Sequence, residues 1–403
     1  MQKLSAVEQM ALIKENTAEI ISEEEMLEKL SRSVAENKPL RCKLGIDPSA
    51  PDLHLGHAVV LHKLKLFQDL GHQVIIIIGD FTGRIGDPTG RSETRKQLTE
   101  EELKVNALTY QEQIYKILDQ DKTELLFNSQ WLAPLNFLEI IRLSSTYTVA
   151  RMMEREDFNR RYRENMPIGI HEFFYPLMQG YDSVAIRADL EFGATEQKFN
   201  LLMGRHLQRE YAQDPQVALT MPILVGLDGG QKMSKSLGNY IGITEAPEQI
   251  YGKAMSIADE IMPEYFRLAT TLSSKETEKI LSELKNGRLH PRDAKMRLAR
   301  EIVALYHGAH AADEAEEQFQ LVFQKGELPE QIPSFTAKAP SGIIFLMVFA
   351  GLASSNSDAR RLISQGGVKV NGGKIESIDL NFKRREELIL QVGKRKFARI
   401  TLE

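Results

Sequence analysis

Two imidazoles three residues apart, His54 and His57, and two ammonium groups three apart, Lys232 and Lys235, have the types and spacing that suit work on phosphate. Behind His54-Leu55-Gly56-His57, apolar residues recur at helical spacing (Leu55, Ala58, Val59, Leu61, Leu64, Phe67, Leu70), with Gly71 as a stop. In front of it, Leu40 to Ile46 reads as a short strand. The histidines therefore open a helix that follows a strand, where free backbone N–H groups and the helix dipole favour an anion. Gly56 carries no side chain to hold a triphosphate away from that turn. Taken alone, the pair reads equally well as polar residues on a helix N-terminus.

Lys232-Met233-Ser234-Lys235-Ser236 reads as a loop, with Gly229 and Gly230 before it and Gly238 after it. Lysine ammonium groups are mobile point charges that can follow phosphate oxygens through a reaction. Isolated, such a loop is solvated surface; its combination with the histidine pair, in this order, is what points to phosphate chemistry. A third constellation is Tyr175, Gln179 and Asp182, at i, i+4 and i+7 on one helical face. Phe173, Phe174, Leu177, Met178 and Val184 crowd around it, which favours a pocket wall over a solvated face.

The elements that must position these groups follow from the patterning. Val74 to Gly79 is a β-branched run with the length of a buried parallel strand. A strand, a helix and a strand in this order predict a Rossmann-like, doubly wound parallel sheet with its ligand crevice at the strand carboxyl ends. The glycine-rich loop after the second strand, Gly79 to Ser92, allows close backbone approach; Arg91 and Arg95 could reach phosphate, and Asp87 could hold an ammonium group. The arginines between Arg151 and Arg163 stand among acids and read as a solvated or subunit-contacting face, or as an RNA contact.

The chain has 403 residues, more than one ordinary core holds, so several domains are expected. No apolar run reaches membrane-spanning length, and the start lacks the apolar core of a signal peptide. The single cysteine, Cys42, excludes an intrachain disulfide and fits a cytoplasmic location; no cluster has zinc-ligand spacing, so no protein-bound metal is expected. Net charge is −5, yet residues 337–403 carry +6 and the remainder −11. A basic module on an acidic body is what a polyanion-binding appendage shows.

The two phosphate segments together resemble the two signatures of class I aminoacyl-tRNA synthetases: His54-Leu55-Gly56-His57 is similar to His-Ile-Gly-His, and Lys232 to Ser236 matches Lys-Met-Ser-Lys-Ser throughout. Tyr175-x-x-x-Gln179-x-x-Asp182, with Ala194-Thr195-Glu196-Gln197 downstream, sharpens the resemblance to bacterial tyrosyl-tRNA synthetases. The resemblance implies activation of L-tyrosine with ATP and Mg²⁺ as a substrate complex, transfer to tRNA(Tyr), and a homodimer. It implies that His54, His57, Lys232 and Lys235 are catalytic, with Ser49, Gly56, Arg91, Glu196 and Ser236 also at the ATP. Asp87, Tyr175 and Gln179 would hold the substrate ammonium, Asp182 the phenol, and Gln197 the carboxylate, with Gly45 and Asp47 lining the crevice. Two positions depart from the bacterial pattern: Lys43 stands for the tyrosine that shares the phenol contact, and Glu196 for an aspartate. The sequence allows Lys43 either to pair with Asp182 or to point to solvent.

The domains expected are an N-terminal helical arm (1–38), a catalytic domain (39–244) with a helical insertion at about 99–170, an α-helical anticodon-arm domain (245–333), and an α+β module resembling the S4 RNA-binding type (340–403). Pro329, Pro333 and Pro340 lie in a polar stretch that reads as a linker. In the last module Arg360, Arg361, Lys369 and Lys374, on a helix start and an Asn371-Gly372 hairpin, would contact RNA.

Overall fold

The computed structural model describes residues 4–49, 51–89, 99–321, 332–393 and 396–403. They form two compact units, Met1–Ala246 with Lys253–Gly308, and Pro247–Gly252 with Ala309–Glu403. Arg91 and Arg95 lie outside the described residues.

The first unit is built on a six-stranded sheet. Its strands are β1 (Glu19–Ile21), β2 (Arg41–Ile46), β3 (Gln73–Ile78), β4 (Thr123–Phe127), β5 (Leu190–Ala194) and β6 (Val217–Met221). The order across the sheet is β1-β6-β5-β2-β3-β4. All pairs are parallel except β1 with β6, so this is the doubly wound α/β sheet that the strand–helix–strand order predicts. Val74 to Ile78 are buried on both faces, as a central parallel strand requires. The helix behind the histidines spans Leu55–Asp69 and packs Leu61, Leu64 and Phe67 into the core.

The arm before residue 38 holds two helices, Ala6–Lys14 and Glu23–Glu36, with β1 between them as an edge strand. Three residues are too few to show a period-two pattern; the strand exists because Ile20 lies opposite Leu219 of β6. Residues 253–308 add the helices Met262–Leu268, Ser274–Lys285 and Pro291–His307 to this first unit. No described helix is long and apolar enough to cross a membrane.

The second unit carries β7 (Ser334–Ala337), β8 (Ser341–Gly342), β9 (Val368–Val370), β10 (Gly373–Lys374), β11 (Asn381–Phe382), β12 (Glu387–Val392) and β13 (Lys396–Leu402). Its five-stranded sheet runs β10-β9-β12-β13-β7, and Ile343, Leu346, Ile363, Leu390 and Ile400 fill its core. Asn371 and Gly372 both have positive φ, and they close the hairpin between β9 and β10 that the Asn-Gly pair predicts. The proline-bounded stretch read as a linker is instead partly structured. Ser334–Ala337 pairs in parallel with β13, and Pro333 and Pro340 sit outside the strand, where a missing N–H costs no ladder bond.

Candidate active site

The strand ends of the first sheet open on a cavity of about 630 Å³ whose wall includes Asp47, His54, Asp87, Asp182, Gln197 and Lys232. Gly45, Ser49, Gly56, His57, Tyr175, Gln179, Glu196 and Ser236 line the same space. Every described residue named from the sequence for substrate contact in this unit is therefore in that wall, apart from Lys235.

The phosphate end is assembled across nearly two hundred residues of chain. Leu55 N donates to Ile241 O at 3.0 Å and Ile243 N to Leu53 O at 3.1 Å, so the segment after the lysine loop pairs with the entry to the histidine helix. The loop itself is held by Asn239, whose Oδ1 accepts from Ser234 N at 2.8 Å and whose Nδ2 donates to Lys232 O at 3.1 Å. The sequence offers no local sign of this, because Asn239 acts on a loop that precedes it.

His54 and His57 rings lie 3.9 Å apart between centroids, and His57 Nδ1 accepts from the His54 backbone N–H at 3.3 Å. Burial pushes the His54 imidazole down to about 2, helped by His57, Lys235 and Lys232. Burial and then Lys235 push His57 down to about 4. Both rings are thus neutral near pH 7 and act as N–H donors, not as cations. A Cβ on Gly56 would meet the His54 ring at 3.0 Å, so the missing side chain also makes room for the histidine itself.

Lys232 Nζ meets Glu196 at 2.7 Å, both side chains being partly exposed. Lys235 Nζ lies 5.7 Å from the Tyr110 ring centroid and has no hydrogen-bond acceptor, and His54 Nδ1 likewise has no partner. A buried ammonium and an imidazole nitrogen, each left unmatched, suit an anionic ligand that brings its own oxygens. Burial pushes the Lys235 ammonium down to about 8, against the attraction of Asp52. It is charged at neutral pH and loses its proton above that value. We expect kcat/KM for the anionic substrate to fall above about pH 8, and Lys235→Arg to remove that limb, because a guanidinium stays charged. A pH–rate profile checks this, and an unmoved limb assigns it to another group.

The opposite end of the cavity is a closed polar network. Tyr175 Oη donates to Asp47 Oδ2 at 2.9 Å and Thr82 Oγ1 to Asp47 Oδ1 at 2.7 Å. Trp131 Nε1 donates to Asp182 Oδ1 at 2.8 Å, and Asn128 Nδ2 to Asp182 Oδ2 at 3.3 Å. Burial pushes the Asp182 carboxyl up to about 7, while Lys43 and the two donors oppose the rise. Gln197 Nε2 donates to Asp87 Oδ2 at 2.7 Å, and Thr89 Oγ1 to Asp87 Oδ1 at 2.6 Å.

Arg155 corrects the reading of the Arg151–Arg163 stretch as a solvated face. Its guanidinium is 5% exposed and reaches Asp157 at 2.8 Å, Thr89 Oγ1 at 2.6 Å, Asn200 Oδ1 at 3.0 Å and Asp87 at 3.4 Å. Arg161 is buried too, on Glu172 at 2.6 Å, whereas Arg151, Arg160 and Arg163 are exposed. Charge density in sequence cannot distinguish these, because only the fold supplies the buried carboxylates. Neither fate open to Lys43 in the sequence is realised. Lys43 on β2 is directly opposite Glu191 on β5, and the two side chains meet at 2.9 Å with no exposure. Asn128, Trp131, Thr89 and Arg155 are the site residues that the sequence did not reveal; the one available signal was the lone tryptophan, in a stretch read as a helical insertion where the structure instead places β4.

Arg360, Arg361, Lys369 and Lys374 belong to the second unit. Arg360 and Lys369 are exposed, Arg361 meets Asp358 at 2.6 Å, and Lys374 lies 3.9 Å from Glu376. Among the described residues no group of three or more His, Cys, Asp or Glu could hold a metal ion.

A family model described as tRNA synthetases class I (W and Y) matches residues 35–324, and one described as the tyrosine–tRNA ligase SYY-like C-terminal domain matches residues 324–400. The chain is 61% identical over 393 residues to the tyrosine–tRNA ligase of Moorella thermoacetica, covering 97% of this chain and 95% of that protein. It is 57% identical over 404 residues to that of Carboxydothermus hydrogenoformans, covering 98% of each. Among solved structures, tyrosyl-tRNA synthetase of Archaeoglobus fulgidus complexed with L-tyrosine superposes with a TM-score of 0.63 at 24% identity, covering 77% of this chain and 99% of that one. At that identity the likeness speaks for the fold alone.

Proposed function

The chain belongs to the class I tRNA synthetases of the tryptophan and tyrosine group and, within them, to the tyrosine–tRNA ligases; from this premise we propose that its cavity joins L-tyrosine to AMP and that the chain then charges tRNA(Tyr). The observation that carries the amino-acid assignment is Asp182, a carboxylate at the buried end of the cavity with two donors already in place. A phenol O–H pointing at it supplies the third. The substrate ammonium then faces Asp87, Tyr175 and Gln179, with Asp47 behind Tyr175, and the substrate carboxylate lies by Gln197.

The nucleophile is that carboxylate. One of its oxygens bonds to the α-phosphorus of ATP as the bond to the bridging oxygen of pyrophosphate breaks. No protein base is required; the protein positions the two substrates and stabilises the charge that gathers on phosphate. Neutral His54 and His57 donate hydrogen bonds there, with Ser49, Ser236 and the open edge at Gly45 and Gly56 shaping the space. Lys232 must leave Glu196 to reach phosphate, and a partly exposed pair costs only about 1 kcal/mol or less to break. Mg²⁺ enters with ATP as part of the substrate. The tyrosyl group then passes to a hydroxyl of the 3′-terminal ribose.

Residues 337–403 of the second unit supply the rest of the RNA contact in this reading, through their +6 charge and through Arg360, Arg361, Lys369 and Lys374. A homodimer is supported by exposed apolar side chains in one segment, Phe137 at 77%, Val149 at 67% and Ile170 at 77% exposure. A cytoplasmic place of action follows from the tRNA substrate.

Isotope exchange between pyrophosphate and ATP, run with each amino acid in turn, tests the assignment. Only tyrosine should support exchange; exchange with tryptophan would overturn it. In single-turnover adenylate formation, Lys235→Ala should lower the activation rate roughly a hundredfold, the effect of removing one transition-state donor worth about 3 kcal/mol, with tyrosine affinity little changed. An unchanged rate would remove Lys235 from the transition state.

A further inference from the structure

Lys43 stands where the family pattern has a pocket tyrosine, yet it is absent from the cavity wall and acts on residues that line it. Its three N–H bonds are all used: Glu191 Oε1 at 2.9 Å, Gln179 O at 2.9 Å and Ser183 Oγ at 2.8 Å. Glu191 returns to the same turn of helix, accepting from Gln179 Nε2 at 3.2 Å and from Ser183 Oγ at 3.1 Å, and Gln216 Nε2 completes its shell. The ion pair therefore grips Gln179 at both its backbone and its side chain, and Ser183 at its hydroxyl. Asp182 lies between those two gripped residues.

A buried ion pair gives no more stability than well-packed apolar residues of the same volume. The consequences of this one lie in geometry and potential. We propose that Lys43 is a positioning residue of the amino-acid pocket: with Glu191 it clamps the Gln179–Ser183 turn, and its charge keeps Asp182 an acceptor for the substrate phenol.

The charged groups acting on Asp182 are Lys43 from β2, which favours the carboxylate, and Glu191 from β5, which opposes it. Trp131 and Asn128, the uncharged donors, face it from beyond β4. Removing the lysine charge and removing the glutamate charge must therefore move the Asp182 ionisation in opposite directions. A purely structural role would not separate them.

This inference rests on the assignment of tyrosine to the cavity, and the experiment separates the two. The full chain is assayed for tyrosine-dependent pyrophosphate exchange across pH, and the acid limb of kcat/KM for tyrosine is read. Failure of the unaltered protein to exchange with tyrosine would remove the assignment itself. If it exchanges, Lys43→Met should move the acid limb up by about one pH unit or more, and Glu191→Gln should move it down, the size expected of one charge at close range. Gln216 Oε1 has no partner, so a flipped Gln216 amide can accept from the new glutamine, which favours a folded Glu191→Gln protein. The double variant, with neither charge, should lie between the two. If Lys43→Met does not fold, Lys43→Gln is read in its place, and its limb must likewise lie above that of the unaltered protein. An unmoved limb, or limbs moving the same way in both single variants, overturns it.

Discussion

Asp182→Ala is expected to collapse tyrosine activation and to leave a residual activity that scarcely distinguishes tyrosine from phenylalanine. The two substrates differ by one hydroxyl, so discrimination rests on what the pocket loses when that hydroxyl is absent. Asp182 is 2% exposed, with Trp131 and Asn128 each holding one oxygen. With phenylalanine, this desolvated carboxylate faces a ring edge that donates nothing, and the full cost of an unmatched buried acceptor falls on the wrong substrate. Such sites reject the analogue by roughly 10⁵-fold without editing, a value that tyrosyl-tRNA synthetases themselves set and that is carried over to this one. The ratio of kcat/KM for the two amino acids in pyrophosphate exchange reads the effect. A ratio that stays near the unaltered value would move the phenol to another residue and undo the orientation of the substrate described above.

Arg155→Ala is expected to destabilise the fold by about 3–5 kcal/mol, because it leaves buried carboxylates without their cation. Asp157 loses its 2.8 Å partner and Asp87 loses the guanidinium at 3.4 Å. Thr89 and Asn200 each lose a donor as well. The midpoint of urea unfolding should fall while its slope is unchanged, since the surface exposed on unfolding is the same. The variant should also raise KM for tyrosine, because Asp87 is then held by Gln197 and Thr89 alone. A stability loss below about 1 kcal/mol would mean that the arginine behaves as a surface charge.

The Arg151–Arg163 stretch shows where inference from residue type stops. A charged side chain in sequence is by default a solvated one, and for Arg151, Arg160 and Arg163 that expectation holds. For Arg155 and Arg161 it fails, because Asp157 and Glu172 are buried alongside them and make burial of the cation affordable.

By itself, the sequence determined what depends on near neighbours in the chain. The histidine pair at a helix start, the glycine-flanked lysine loop, the Tyr175–Gln179–Asp182 face and the Asn-Gly hairpin all follow from periodicities of two or 3.6 residues and from turn chemistry, and the structure contains each of them. The parallel sheet followed too, since a β-branched run after a strand–helix unit has few other places to go. Tertiary structure alone decided what depends on register between distant strands. Lys43 meets Glu191 because β2 and β5 align them as direct neighbours 148 positions apart in the chain. Glu19–Ile21 becomes a strand because β6 offers it an edge, and Asp182 gains Trp131 and Asn128 because β4 ends beside its helix. The physical reason is the same in each case. A local pattern sets which face of an element is apolar, but the partner of a buried charge is chosen by sheet order and register, and no short stretch of sequence carries that order.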